Sequence, residues 1–167
     1  EQLVILSDLK VGQLGAGNPE SVRMEFDQNM GSMYPFSLSE KLQAITEDHE
    51  YYHDTNQDAF PWQKPVVPLE MIGVLTQYTS GLSGYRSRGP AIGLFAGQEI
   101  KLINGPIFVD HPYKLEREIV ALSESKRTES NWIKTRVIDE ASDELVAEVI
   151  LNSATLKESY EKYEEDA

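Results

Sequence analysis

The side chains best suited to acid–base chemistry lie together in residues 48–54, which read DHEYYHD. Asp48 and His53 are five residues apart, and carboxylates and imidazoles are the groups that most often carry protons to and from reacting atoms. Across the end of a helix and the turn that follows it, such a pair can reach one water molecule. His49 and Asp54 carry the same groups nearby, so an alignment shifted by one residue stays open.

A second candidate carboxylate, Glu70, stands in the most apolar stretch of its length, residues 66–85 (VVPLEMIGVLTQYTSGLSGY). A charged side chain on an otherwise apolar helix costs free energy unless it is paired or faces solvent. Glu70 can act as a nucleophile or as the base that activates water. It can equally be a residue of the first helical turn, where the helix dipole stabilises a negative charge.

The composition excludes several kinds of site. The chain of 167 residues contains no Cys, which rules out disulfides, thiolate catalysis, and zinc or iron–sulfur sites held by cysteine. Three His residues leave few ways to build a His-rich metal site, so we expect no metal and no cofactor. The net charge of −13 argues against nucleic acid as a partner.

Positive charge is concentrated in the middle of the chain. Residues 86–136 carry 9 basic and 6 acidic side chains, against an acidic excess on both sides of this segment. Arg86 and Arg88 can therefore meet the phosphate of a small anionic ligand. The alternative is that these charges are solvated faces of strands.

The start of the chain and its hydropathy bear on location. No run of about 18 apolar residues occurs, which predicts that no segment spans a membrane. The first ten residues, EQLVILSDLK, lack the basic region of a signal peptide. We therefore expect a cytoplasmic protein.

The pattern of apolar residues predicts two helices before residue 85. Ser39 is the candidate N-cap of a short helix whose apolar face comprises Leu38, Leu42, Ile45 and His49. Residues 54–65 read as a loop. A second helix from about Val67 to Tyr78 has Pro68 in its first turn and is apolar nearly all round, which is typical of a buried helix.

The remainder of the sequence predicts strands. An edge strand is expected at 21–28, short strands at 91–104 and 106–109, and long strands at 113–123, 129–139 and 145–156. The residues ASDE at 141–144 join the last two strands as a hairpin. An antiparallel sheet with one helix on its face is an α+β architecture. We assign residues 1–157 to a single domain and residues 158–167 to an acidic tail that is expected to fray.

Three stretches carry a resemblance to a known family. Residues 38–54 (LSEKLQAITEDHEYYHD) are similar to the part of MaoC-like (R)-specific enoyl-CoA hydratases and 3-hydroxyacyl dehydratases that holds their catalytic Asp-x4-His pair. Residues 60–71 (FPWQKPVVPLEM) resemble the family's loop and the start of its central helix. Residues 97–119 (GQEIKLINGPIFVDHPYKLEREI) resemble its strand–turn–strand, with Asp110 in place of the usual Gly-Asp turn. The likeness extends over about residues 36–156.

This sequence departs from the family pattern at four positions. Glu50 and Tyr51 replace the Asn and Pro that the family has inside the Asp-x4-His motif. Pro68 and Leu69 replace a His-Gly pair at the start of the central helix. A backbone N–H in that region of the family helps to bind the thioester carbonyl, and proline has no N–H to donate.

The resemblance implies a hot-dog fold, in which an antiparallel sheet wraps around one central helix. It implies hydration of a 2-enoyl thioester or dehydration of a 3-hydroxyacyl thioester, within fatty acid metabolism, with Asp48 and His53 as the catalytic pair. The carrier is coenzyme A, slightly favoured by the net charge, or acyl carrier protein. The residues expected to bind the substrate are Pro65, Val66, Val67, Leu69, Glu70, Arg86 and Arg88. Hot-dog folds of the kind that this sequence resembles are built from two such units side by side. We therefore expect a homodimer or a heterodimer with another hot-dog chain.

Two alternatives stay open beside this one. The first is a hot-dog acyl-CoA thioesterase that uses Glu70. The second is a non-catalytic hot-dog partner subunit that binds an acyl ligand or completes a heterodimer. In that case the aromatic side chains of the loop and its surroundings would line a pocket, or would be ordinary core and dimer contacts. These side chains are Tyr51, Tyr52, Phe60 and Trp62.

Overall fold

Five antiparallel strands form a single sheet in the order β1-β3-β4-β5-β2. The structure is a computed structural model that describes residues 2–55 and 57–167. The strands are β1 (Glu20–Val22), β2 (Gly93–Leu102), β3 (Tyr113–Glu124), β4 (Thr128–Asp139) and β5 (Leu145–Leu156). The helices are α1 (Leu38–Ala44), α2 (Leu69–Gln77) and α3 (Tyr163–Asp166). The three long strands and the hairpin between β4 and β5 confirm the sequence prediction.

Alternation of side chains explains how the sheet makes a core. In β3, alternate side chains are buried, while the residues between them are more exposed; the buried ones are Tyr113, Leu115, Arg117 and Ile119. Because successive side chains of a strand point to opposite faces, this pattern gives the sheet one apolar face. The sheet needs a covering layer on that face.

Helix α2 lies in the main core that this face helps to form. Residues 71–77 are buried, and Met71, Ile72 and Leu75 belong to the same apolar cluster as Leu115 and other sheet residues. The prediction of a buried central helix is confirmed for this part. Leu69, predicted on an apolar helix, is instead exposed, because it stands in the first turn where the helix enters from solvent.

An ion pair beneath α2 holds the C-terminal end of this helix. Arg117 of β3 and Glu20 of β1 are paired, and both side chains are almost fully buried. Arg117 Nη2 donates to the carbonyl of Thr76 at 2.7 Å, and the Thr79 hydroxyl donates to Glu20 at 2.7 Å. Because the last carbonyls of a helix have no partner within it, a cation there satisfies and stabilises them.

The strands at the start of the chain and before β3 are shorter than predicted. The edge strand expected at 21–28 is only β1, which pairs with Tyr113–Leu115 of β3. The strand expected at 106–109 is wrong as well: Phe108 makes a single bridge to Val66. Both segments lie where the chain leaves the sheet, so their apolar residues fill the core without forming a ladder.

The predicted N-cap of α1 is also wrong. Ser37, not Ser39, begins the helix: its Oγ accepts the N–H of Glu40, and the Glu40 carboxylate accepts the N–H of Ser37 at 2.7 Å. This reciprocal pair is a capping box. Helix α1 ends at Ala44, so Ile45 and His49, predicted on its apolar face, lie beyond the end of the helix.

The two ends of the chain meet over a second, smaller apolar cluster. Glu129 of β4 is fully buried, and its carboxylate accepts the N–H groups of Val4 and Leu6, each at 2.8 Å. The hydroxyl of Tyr163 donates to the same carboxylate at 2.9 Å. Tyr160 and Tyr163 pack against this cluster. The expectation of a frayed tail is therefore wrong for these two tyrosines.

Candidate functional site

The loop that leads from α1 to α2 carries the Asp48–His53 pair. Asp48 lies four residues beyond the end of α1, so the prediction that it stands at a helix terminus is wrong. The chain is extended at His49, makes one 3₁₀ turn at Glu50–Tyr52, and is extended again at His53. The turn folds the chain back, which is how two side chains five residues apart come to face each other.

The geometry of the pair is that of a direct hydrogen bond. His53 Nε2 lies 2.7 Å from Asp48 Oδ1. The His53 side chain is 36% exposed and that of Asp48 is 53% exposed. Both groups are therefore hydrogen-bonded to each other and still open to a water molecule or a ligand. The structure brings the two predicted catalytic residues together.

The rest of the loop is anchored on the core. The carbonyl of Tyr51 accepts the N–H of Val66 at 2.7 Å, and Tyr52 packs against the main apolar cluster. The Tyr51 ring makes edge contacts with the rings of Phe60 and Trp62, with centroids 5.1 Å and 5.7 Å away. Backbone bonds and ring contacts thus hold the turn against a rigid support.

The residues before and at the start of α2 differ in whether their backbone N–H groups donate to a carbonyl of the same chain. Val66 donates to Tyr51, and Val67 donates to the carbonyl of Ile107 at 2.8 Å. Their N–H groups are therefore engaged within the chain. Leu69 and Glu70 are the first residues of α2, and the first N–H groups of a helix have no carbonyl partner inside it. Pro65 is buried, and its carbonyl accepts the N–H of Val109 at 3.0 Å.

Glu70 occupies the solvent-facing start of α2. Its carboxylate lies 3.9 Å from Nζ of Lys41 on α1 and is 45% exposed. An exposed pair at this distance contributes little to stability. Such a carboxylate is open to water or to a ligand, and it also lies where the helix dipole favours a negative charge.

A groove of about 320 Å³ runs between α2 and the edge strand β2. Gly73 forms part of its floor, and a Cβ there would meet the side-chain amide of Gln98 at 2.9 Å. Val74, Phe95 and Leu151 give it apolar walls, and Glu70 stands at its margin. The lining is mixed, with amide and carboxylate groups beside the apolar side chains.

Arg88, unlike the loop of Asp48, lies with the chain termini. Arg88 Nη1 is 3.5 Å from the carboxylate of Asp166, and its N–H donates to the carbonyl of Ile5 at 2.8 Å. Arg86 is exposed. Arg88 thus adjoins the smaller apolar cluster, and Tyr85, next to Arg86 in the chain, packs against that cluster, whereas the loop packs on the main one. Within one chain, the structure does not unite them with Asp48 and His53.

A second His–Asp pair was missed in the sequence. His111 Nε2 lies 3.0 Å from Asp139 Oδ2, and these side chains are 16% and 20% exposed. Asp139 Oδ1 also accepts the N–H of Ala141 at 2.8 Å. The signal was present: pairing the predicted strands 113–123 and 129–139 as a hairpin places residue 139 opposite 113 and close to His111.

The environment of Asp139 sets its protonation. Burial by itself raises the pKa of this carboxyl, but the N–H of Ala141, the His111 side chain and the N–H of Ser142 outweigh it and hold the pKa below the usual value. Close by, burial raises the pKa of the Tyr113 hydroxyl to about 12. That hydroxyl accepts the N–H of Phe108 at 2.7 Å. The His111–Asp139 pair thus joins the start of β3 to the β4–β5 turn.

No protein-family model and no curated protein sequence matches the chain. Solved structures do. An (R)-hydratase from A. caviae, described as involved in PHA biosynthesis, superposes with a TM-score of 0.57 and 22% identity over 87% of this chain and 96% of that one. The HadBC complex of Mycobacterium tuberculosis, a 3R-hydroxyacyl-ACP dehydratase, gives a TM-score of 0.64 at 15% identity over the same shares.

A third similar structure, from Mycobacterium tuberculosis, is described as a double hot-dog fold. It superposes with a TM-score of 0.57 and 17% identity over 91% of this chain and 43% of that one. This chain adopts the hot-dog fold. The α+β prediction is thereby confirmed, and the match to less than half of a double hot-dog chain fits a single hot-dog unit. In the described part of the chain, the helices are all too short or too polar to cross a membrane.

Proposed function

We propose that this hot-dog protein is a MaoC-like hydratase or dehydratase that interconverts a 2-enoyl and a 3-hydroxyacyl thioester. The observation that carries the proposal is the 2.7 Å hydrogen bond between Asp48 and His53 at the spacing of the family's catalytic pair. Two of the similar structures are described as an (R)-hydratase and a 3R-hydroxyacyl-ACP dehydratase. The fold and the pair support the same reaction class.

The reaction adds the elements of water across the C2–C3 double bond. One member of the pair takes a proton from water while the water oxygen bonds to C3, and the other gives a proton to C2. Negative charge develops on the thioester oxygen as this happens. The N–H groups of Leu69 and Glu70 are the donors we assign to that oxygen, since donors aimed at developing charge lower the barrier. Dehydration runs through the same steps in reverse.

We assign coenzyme A as the carrier, with acyl carrier protein as the alternative. The chain carries a net charge of −13, which disfavours broad docking of an acidic carrier protein. Arg86 and Arg88 are the candidate phosphate contacts. A ligand whose thioester lies at Asp48 and His53 contacts these arginines only if it spans both apolar clusters of one chain or extends onto a second chain. The partner chain is a second copy of this protein or another hot-dog chain.

One observation favours a second candidate function, thioester hydrolysis by Glu70. This carboxylate is exposed and stands at the margin of the 320 Å³ groove beside α2. If an acyl chain occupies the groove, Glu70 at its margin is the carboxylate beside the thioester carbon, since Asp48 does not line the groove. The carboxylate then either attacks that carbon, after which water hydrolyses the anhydride, or activates a water that attacks it; in both cases the carrier leaves as thiolate and takes up a proton.

Product analysis of crotonyl-CoA incubated with the purified protein separates these functions. Under the main proposal, 3-hydroxybutyryl-CoA forms without release of free thiol, and Asp48→Asn and His53→Ala each lower the rate roughly 10²-fold or more. Glu70→Gln is the matched control and keeps the rate. Release of thiol that Glu70→Gln abolishes would support hydrolysis and contradict hydration. Binding of CoA thioesters with neither product would leave only the non-catalytic partner subunit.

A further inference from the structure

The 3₁₀ turn between Asp48 and His53 depends on a side chain outside the catalytic pair. The N–H of Tyr51 is the second of this turn and has no carbonyl partner within it. His49 Nδ1 accepts that N–H at 3.1 Å. This is the N-cap role that Ser, Thr, Asp or Asn usually fills.

The backbone N–H of His49 also contacts the carboxylate of Asp48, the partner of His53. Its own N–H donates to Asp48 Oδ1 at 2.9 Å, the same oxygen that lies 2.7 Å from His53 Nε2. At the far end of the turn, the N–H of His53 donates to the carbonyl of Glu50 at 3.2 Å. One residue therefore touches both the carboxylate and the turn that returns His53 to it.

Aromatic contacts hold the His49 imidazole in its capping orientation. Its ring centroid lies 4.5 Å from that of Tyr51 and 6.1 Å from that of Tyr52, both in edge-to-face geometry. Tyr51 is in turn fixed against Phe60 and Trp62. Edge-to-face ring pairs are favourable beyond the area they bury. A smaller capping residue would accept the same N–H without this lateral support.

The need for a cap follows from the residue that occupies position 51. Tyr51 stands where the MaoC-like motif has proline, which has no N–H and fixes its own backbone angle. Tyrosine brings an N–H that needs an acceptor and a backbone that needs restraint. The hydrogen bond to His49 supplies both.

We infer that His49 is a positioning residue, whose imidazole holds the Glu50–Tyr52 turn and thereby keeps His53 on Asp48. The bond between Asp48 and His53 is exposed, and exposed pairs contribute too little to hold two side chains in place by themselves. The alignment of the pair must then come from the backbone. Misplacement of a catalytic group by about 1 Å can cost 10²-fold in rate.

Amide hydrogen exchange measured by NMR tests the structural part directly. In His49→Ala, we expect the amides of Tyr51 and His53 to exchange about 10-fold faster than in the wild type. His49→Asn keeps a side-chain acceptor at the N-cap and should restore the protection. Thr46→Ala, an exposed change in the same loop, is the matched control. Unchanged exchange in His49→Ala would overturn the inference.

The kinetic part rests on the proposed function. With crotonyl-CoA, His49→Ala should lower kcat about 10-fold and leave KM within about 2-fold, and His49→Asn should recover most of kcat. Equal thermal unfolding midpoints of the variants show that no general loss of folding is involved. A normal kcat in His49→Ala, with faster amide exchange, would contradict positioning. Absence of hydration in the wild type would instead contradict the proposed function, and amide exchange would still decide the role of His49.

Discussion

The two histidine–aspartate pairs in the described part of the chain differ chiefly in burial. Asp48 and His53 are 53% and 36% exposed, whereas Asp139 and His111 are 20% and 16% exposed. An exposed ion pair contributes about 0–1 kcal/mol to stability, and water can exchange protons with it. A mostly buried carboxylate that accepts further backbone N–H groups is a structural contact. The first pair therefore suits catalysis, and the second suits bracing.

The lowered pKa of Asp139 predicts a pH-dependent contribution to stability. A carboxyl whose pKa is lower in the folded state stabilises the protein above its unfolded pKa, near 4, and loses that effect as the pH falls through the folded value. We expect Asp139→Asn to lower the free energy of unfolding by about 1–2 kcal/mol at pH 7. The difference from the wild type should shrink toward pH 3. Urea unfolding at both pH values measures it, and a constant difference would contradict this account.

Helix α1 shows how a cap sets the start of an element. The sequence offers serines at 37 and 39, and apolar spacing alone does not choose between them. Ser37 is the N-cap because Glu40 stands three residues after it and its carboxylate accepts the N–H of Ser37. The same pattern is readable in the sequence as S-x-x-E, so the prediction of Ser39 was avoidable.

Substitution of the two serines distinguishes the two caps. Ser37→Ala removes the acceptor for the N–H of Glu40 and should lower the free energy of unfolding by about 1 kcal/mol. Ser39→Ala, inside the first turn, should change it by less than about 0.5 kcal/mol. Urea unfolding at pH 7 gives both values. An equal loss in the two variants, or a larger one for Ser39→Ala, would contradict the capping box.

At the level of elements, the sequence predicts the structure that follows from a repeating pattern of apolar residues. It misses the structure that depends on a single contact. The long strands and the buried helix follow from apolar periodicity, which sums over many residues. The turn at Glu50–Tyr52 depends on one imidazole acceptor, and the single bridge at Phe108 depends on where another segment lies. The Asp48–His53 pair was predicted from its spacing. Its support by His49 was missed because it needs the three-dimensional path of the loop.

At the scale of the whole molecule, the described residues leave the long edge of the sheet at β2 open. Among the strands that the structure describes, β2 pairs only with β5, and nine of its ten residues are exposed. Phe95, 61% exposed, lies among them and also lines the groove beside α2. A long exposed edge strand with apolar side chains is a template for pairing with another chain. Cover over β2 would also close the groove from solvent.

We therefore predict that the protein self-associates through β2. Sedimentation at micromolar concentration should give about twice the mass of one chain. Phe95→Lys should shift the equilibrium toward monomer, because a charge on an edge strand opposes pairing. Leu82→Lys is the matched control, because Leu82 is 62% exposed but lies in the Ser80–Ser83 turn and not in β2. A monomeric wild type would reject a homodimer.

The most direct test of the central proposal is a comparison of crotonyl-CoA hydration by the wild type, Asp48→Asn, His53→Ala and the double variant. Groups that act together on one water are strongly non-additive when removed. We expect each single variant to lose roughly 10²-fold or more in kcat/KM and the double variant to lose little beyond the more impaired single variant. Full hydration activity in the double variant would contradict a catalytic role for the pair.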